Sequence, residues 1–138
     1  MYRVLNPYLN FPGTAREAME FYQSVLGGDL DLLTFGQAGV SDAPNQDGVM
    51  HAHLSSGAGF TLMASDMPAG MEHKPGNTMA VCLGGDDAEA LRGFFAGLSQ
   101  GGSVSVPLSA QVWGDEFGMF TDRFGTPWFV NISAPTAG

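Results

Sequence analysis

The chain has 138 residues, with Lys+Arg 5 against Asp+Glu 14 and a formal net charge of −9. The five basic residues, Arg3, Arg16, Lys74, Arg92 and Arg123, are scattered, so no cationic stripe exists to hold a nucleic-acid backbone or an anionic membrane. With 44% hydrophobic and 11% aromatic residues, intrinsic disorder is excluded, and one domain with a substantial core is expected.

In chain order, residues 4–11 read as a strand. Thr14 followed three residues later by Glu17 is a capping box, and Ala15, Ala18, Met19, Tyr22, Val25 and Leu26 form one apolar helical face ended by Gly27 and Gly28. Strands follow at 30–35, 50–54 and 59–65. The same order then recurs: a strand at 78–83, a helix opened by Asp86 and Glu89 with Ala88, Leu91, Phe95 and Leu98 on its apolar face, and strands at 103–108, 117–121 and 128–132. Leu26 and Leu98 lie 98 − 26 = 72 residues apart, so the chain is a repeat of two β-α-β-β-β units. One such unit leaves a sheet face uncovered, which favours two modules in one folding domain.

Two stretches, 36–48 and 66–76, carry no periodicity. Each reads as a lid over a pocket or as a plain surface loop. The single Cys82 has no partner for an internal disulfide, in keeping with a reducing compartment. No apolar run approaches the roughly 18 residues of a membrane span, and the first residues lack a signal-peptide core. A cytoplasmic protein without membrane or nucleic-acid partners is expected.

Particular runs bear a resemblance. NPYLNF at 6–11, AMEFY at 18–22 with LGG at 26–28, His51 and Ala52, the return through Leu62 and Met63 to Ser65 and Asp66, and above all Trp113, Gly114, FGMFTDRFGTPW at 117–128 and Asn131 resemble the PhnB-like branch of the vicinal oxygen chelate superfamily. This is the glyoxalase, bleomycin-resistance and dioxygenase group. The resemblance implies an α+β fold of two βαβββ modules, with curved mixed sheets forming a cup. The first module would cover about 1–66 and the second about 77–134, joined by a linker at 67–76. It also implies a homodimer.

Metalloenzymes of that superfamily hold a divalent cation on His and Glu side chains of the inner strands, leaving positions open for a substrate's neighbouring oxygens. The positions that match those ligands carry Asn6, a residue near Thr78, and Phe129, none a usual ligand. His51 and His53 remain; two apart in a strand, they share a face. Asp115 or Glu116 could complete a nonstandard set, with Zn, Ni, Mn or Fe as the metal of that alternative. His73, between Glu72 and Lys74 in the second loop, reads as solvent-exposed.

A cup without a metal still binds small molecules through apolar and aromatic walls with a few placed polar groups. The candidate lining residues are Asn6, Tyr8, His51, His53, Met63, Trp113, Phe117 and Trp128. Strand alternation divides the aromatics: Phe117 and Met119 share one face, Gly118 and Phe120 the other, and Trp128 is separated from Phe129. The segment 122–125 (DRFG) reads as a hairpin turn opened by Asp122. No serine elbow, P-loop lysine or glycine-rich loop for a methyl donor is present. The reading is a small-molecule binding protein without an intact metal site. A divalent-metal-dependent lyase, isomerase or dioxygenase centred on His51 is the alternative.

Overall fold

The computed structural model describes residues 3–40, 43–57, 59–68 and 70–134. The chain divides into two compact units, Met1–Lys74 and Pro75–Gly138. The first contains β1 (Tyr8–Phe11), α1 (Ala15–Leu26), β2 (Asp29–Thr34), β3 (Val49–Ser55) and β4 (Thr61–Asp66). The second contains β5 (Val81–Gly85), α2 (Ala88–Leu98), β6 (Ser103–Ala110), β7 (Glu116–Thr121) and β8 (Pro127–Ile132). The sheets are ordered β1-β4-β3-β2 and β5-β8-β7-β6. Their outer pairs β1·β4 and β5·β8 are parallel and the rest antiparallel. The two units thus repeat one mixed topology, two βαβββ modules in an α+β chain.

In the first unit α1 buries Ala15, Ala18, Met19, Tyr22 and Leu26, the spacing of a helix with a single apolar stripe. It packs against β2, β3 and β4, where Val49, Ala52, Leu54, Leu62 and Ala64 are buried, and Phe11 at the end of β1 is buried as well. Each large side chain removed from water here stabilises the unit by about 1.5–3 kcal/mol. The start of α1 differs from the capping box expected at Thr14, whose side chain makes no cap hydrogen bond. Instead the buried Asp66 carboxylate, at the end of β4, accepts the Ala15 N–H through Oδ1 at 2.8 Å and the Val49 N–H through Oδ2 at 2.8 Å. A carboxylate at a helix N-terminus satisfies an orphan donor and meets the positive end of the helix dipole. Gly28 ends the turn after the helix with φ 98°, and a Cβ there would overlap the Ser55 carbonyl oxygen.

In the second unit α2 is capped one residue later than expected: Asp87, not Asp86, accepts the Ala90 N–H at 3.2 Å. The helices therefore begin 88 − 15 = 73 residues apart and end 98 − 26 = 72 apart. Leu91 and Leu98 of α2 join Leu83, Phe120, Trp128, Val130 and Ile132 in the core. Phe95 meets Phe120 edge-on at 5.0 Å, and Phe120 stacks on Trp128 at 6.3 Å and 8°.

The turn at 122–125 forms as expected, and its aspartate does more than open it. Asp122 is buried; Oδ1 accepts the Phe124 and Thr126 N–H groups at 2.9 and 3.0 Å, and Oδ2 accepts the Trp128 indole N–H at 2.8 Å.

Candidate functional site

Within its own unit, each sheet has one face covered by the helix and one face without a helix, the open face. In β3, Ala52 and Leu54 are buried, so His51, His53 and Ser55 stand on the opposite face. In β4, Leu62 and Ala64 go inward and Met63 outward. The registers Tyr8↔Met63, His53↔Met63 and Asp31↔His53 place Tyr8, Met63, His53 and Asp31 in one row across all four strands. Leu33 pairs with His51 in the neighbouring row.

The side chains on this face converge. The Tyr8 hydroxyl lies 3.4 Å from His51 Nδ1, with ring centroids 6.0 Å apart. Asn6 Nδ2 donates to Met63 Sδ at 3.6 Å, and His53 Nδ1 lies 3.4 Å from Ser55 Oγ. Tyr8 is 47% exposed and Leu33 38%. Of the residues expected to line a pocket, Asn6, Tyr8, His51, His53 and Met63 therefore meet on one surface of the first unit. It combines an aromatic ring, a thioether and an aliphatic chain with phenol, imidazole and amide groups able to orient a ligand.

The second unit treats its candidates differently. Phe117 stands on the open face, its ring 5.7 Å from Phe129 in an edge-on pair, with Met119 half-buried beside them in register with Phe129. Trp113 is 61% exposed, at the hairpin between β6 and β7 beside the fully exposed Val112, and belongs to neither sheet face. Trp128 is 1% exposed on the helix side, stacked on Phe120 and bonded to Asp122. Its expected place in a ligand pocket is thus corrected: the indole N–H is committed to a buried carboxylate, and the alternation of β8 gives the open face to Phe129.

The carboxylates weighed as metal ligands are engaged elsewhere. Glu116 Oε2 accepts from Arg92 Nε at 3.1 Å and Nη2 at 2.8 Å. Asp115 accepts from the Ala134 N–H at 2.9 Å and from Asn131 Nδ2 at 3.1 Å, and these bonds, the backbone one first, hold its carboxyl below the ordinary value of 3.8. Among the described residues no three His, Cys, Asp or Glu side chains come together in a metal-binding group.

His73 departs from the exposed position expected of it. It is half-buried, and its Nε2 donates to the Asn10 carbonyl at 3.0 Å, fastening the segment after β4 to β1. The other aperiodic stretch, 36–48, is internally bonded: Gln46 Nε2 donates to the carbonyls of Val40 and Ala43 at 2.7 and 2.6 Å, and the Gly36 N–H donates to the Gln46 carbonyl. Between this loop and the first turn of α1 lies an open cleft of about 510 Å³ whose lining includes Arg16, Glu17, Asp47 and Asp66. It has no aromatic wall, and both oxygens of Asp66 are already spent on backbone N–H groups. Cross-strand register, which assigned Asp31 and Leu33 to the open face, carries no signal in the sequence of a single strand; neither residue was expected there.

Residues 5–130 match the family model of the Glyoxalase/Bleomycin resistance protein/Dioxygenase superfamily. The chain is 28% identical over 140 residues to protein YjdN of Escherichia coli, covering 93% of this chain and 94% of that protein. Among solved structures it is similar to protein PA1353 from Pseudomonas aeruginosa, with 38% identity, TM-score 0.83, and 96% and 99% of the two chains covered. The PhnB protein from Bacillus cereus shares the fold at 22% identity and TM-score 0.75, with 95% and 100% covered. With its two βαβββ modules and a family match over most of its length, the chain belongs to the Glyoxalase/Bleomycin resistance protein/Dioxygenase superfamily.

Proposed function

We propose that this protein binds a small apolar or aromatic molecule on the open face of its first sheet, without a resident metal. The observation that carries the reading is the gathering of two contacting pairs, Tyr8 with His51 and Asn6 with Met63, on one sheet face where Tyr8 and Met63 are in register and all four are partly open to solvent. An exposed aromatic ring beside a thioether offers dispersion contacts, while the Tyr8 hydroxyl and the imidazoles supply directional hydrogen bonds. Superfamily membership supports ligand binding in general and leaves the chemistry to the site.

The protein is proposed to work in the cytoplasm as a homodimer, and the fully exposed Leu5 and Val112 support further burial of apolar surface on assembly. No helix of the described residues is long and apolar enough to cross a membrane.

A thermal-shift screen of uncharged aromatic compounds tests the binding reading, since a ligand that binds only the folded state raises the melting temperature by mass action. Tyr8→Ala and His51→Ala are expected to weaken a confirmed ligand by about tenfold or more, on the scale of one lost aromatic or hydrogen-bonded contact. Unchanged affinity in both variants would overturn the placement. Elemental analysis of protein purified without a histidine tag forms the second arm. A stoichiometric divalent metal that His51→Ala removes would overturn the metal-free reading.

A further inference from the structure

The open face of the first sheet carries a one-sided charge. None of its four strands contains Lys or Arg, and their charged residues are Asp29, Asp31 and Asp66. Asp66 is buried and accepts the Ala15 and Val49 N–H groups. Asp29 and Asp31 are exposed and share the open face by register, Asp29 opposite Ser55 and Asp31 opposite His53. Of the unit's basic residues, Arg3 precedes β1, Arg16 sits on α1 beneath the other face, and Lys74 pairs with Glu72 at 3.4 Å. The fixed charge among the strands' outward side chains is therefore negative, and Asp31 lies in the same row as the Met63 thioether, two strands away, with Tyr8 at the far edge.

We infer that the ligand of this face is a small aromatic molecule bearing a positive charge, such as a protonated amine. The inference rests on the reading of this face as a ligand site. Its ammonium is directed toward Asp31, and its aromatic part lies against Leu33 of the same strand and reaches back over His53 toward Met63. Cross-strand neighbours stand about 4.5–5.5 Å apart at Cβ, so an ammonium hydrogen-bonded to Asp31 stays within reach of the His53 ring. The two aspartates repel an anionic ligand.

Three matched probes separate this from the broader reading: 1-naphthylmethylamine as the cation, 1-naphthalenemethanol as the neutral form and 1-naphthoic acid as the anion, measured by isothermal titration at neutral pH. The cation is expected to bind about tenfold or more tighter than the anion, in line with one partly screened charge contact, and to weaken with added salt. Asp31→Asn is expected to remove most of the preference for the cation over the alcohol, and Asp31→Arg to favour the acid. Asp31 is exposed, and unchanged probe-free melting of each variant confirms its fold. Equal binding of amine and alcohol, or a preference unaffected by Asp31→Arg, overturns the charge inference while the ligand face stands. Failure of all three probes, together with failure of the uncharged screen, overturns the face itself.

Discussion

At the scale of single residues, the aspartates of this chain divide by what they accept. Asp66 and Asp122 are buried and fully occupied by N–H donors, whereas Asp115 sits at the surface with two donors of its own. The Ala134 N–H and then Asn131 Nδ2 lower the Asp115 carboxyl from 3.8. Because both bonds favour the ionised form, the stabilisation is present in full above the unfolded value and is lost as pH falls through the lower folded value. A carbon-detected NMR titration is expected to place Asp115 below 3.8, and Asn131→Ala to raise it. A titration at or above 3.8 in the unsubstituted protein would contradict the hydrogen bonds assigned to it. Residue roles were the part of the site least open to reading from sequence. Alternation told that Trp128 and Phe129 part company, but only the position of α2 decides which is buried, and the Asp122 bond to the indole joins residues on either side of a turn.

At the scale of elements, periodicity was enough to place both helices and all eight strands in order, because each helix has an apolar stripe and each strand stands between turn signals. The ends moved for local reasons. The first strand begins at Tyr8, four residues later than the apolar pattern starts, since Pro7 has no N–H and offers only its carbonyl, which accepts from Met63. Caps depended on partners distant in sequence, as Asp66 shows at α1. Packing of α2 against β7 rests on Gly118, where a Cβ would stand 2.7 Å from the Phe95 ring and 2.9 Å from Leu108 Cα. Gly118→Ala is expected to cost about 1–3 kcal/mol, the scale of overpacking in a filled core. Chemical denaturation measures this, and a loss under about 0.5 kcal/mol, as at an ordinary surface position, would show that β6 and α2 yield more readily than the close approach indicates.

At the scale of the whole molecule, the duplicated topology was visible in the spacing of Leu26 and Leu98, while the division of labour between the copies was not. The first sheet's open face is mixed, with imidazoles, a phenol and aspartates; the second's is apolar around Phe117, Met119 and Phe129. Duplication followed by such divergence leaves one copy suited to directional contacts and the other to dispersion. The homodimer proposed for the protein predicts a sedimentation-equilibrium mass of about twice that of the monomer at micromolar concentration, with Val112→Asp and Trp113→Asp shifting it toward the monomer. A chain that sediments as a monomer throughout would remove that assembly.

Asp66 gives the first unit a particular order of completion. The group that caps α1 comes from 51 residues further along the chain and also fastens the start of β3. During synthesis, α1 emerges with its first turn uncapped, and the beginning of β3 emerges without its anchor. One carboxylate closes both when the last strand of the unit arrives. A chain broken off just before residue 66 would therefore hold every element of the unit but the last residue of its final strand, yet lack the group that makes helix and sheet lock together as one event.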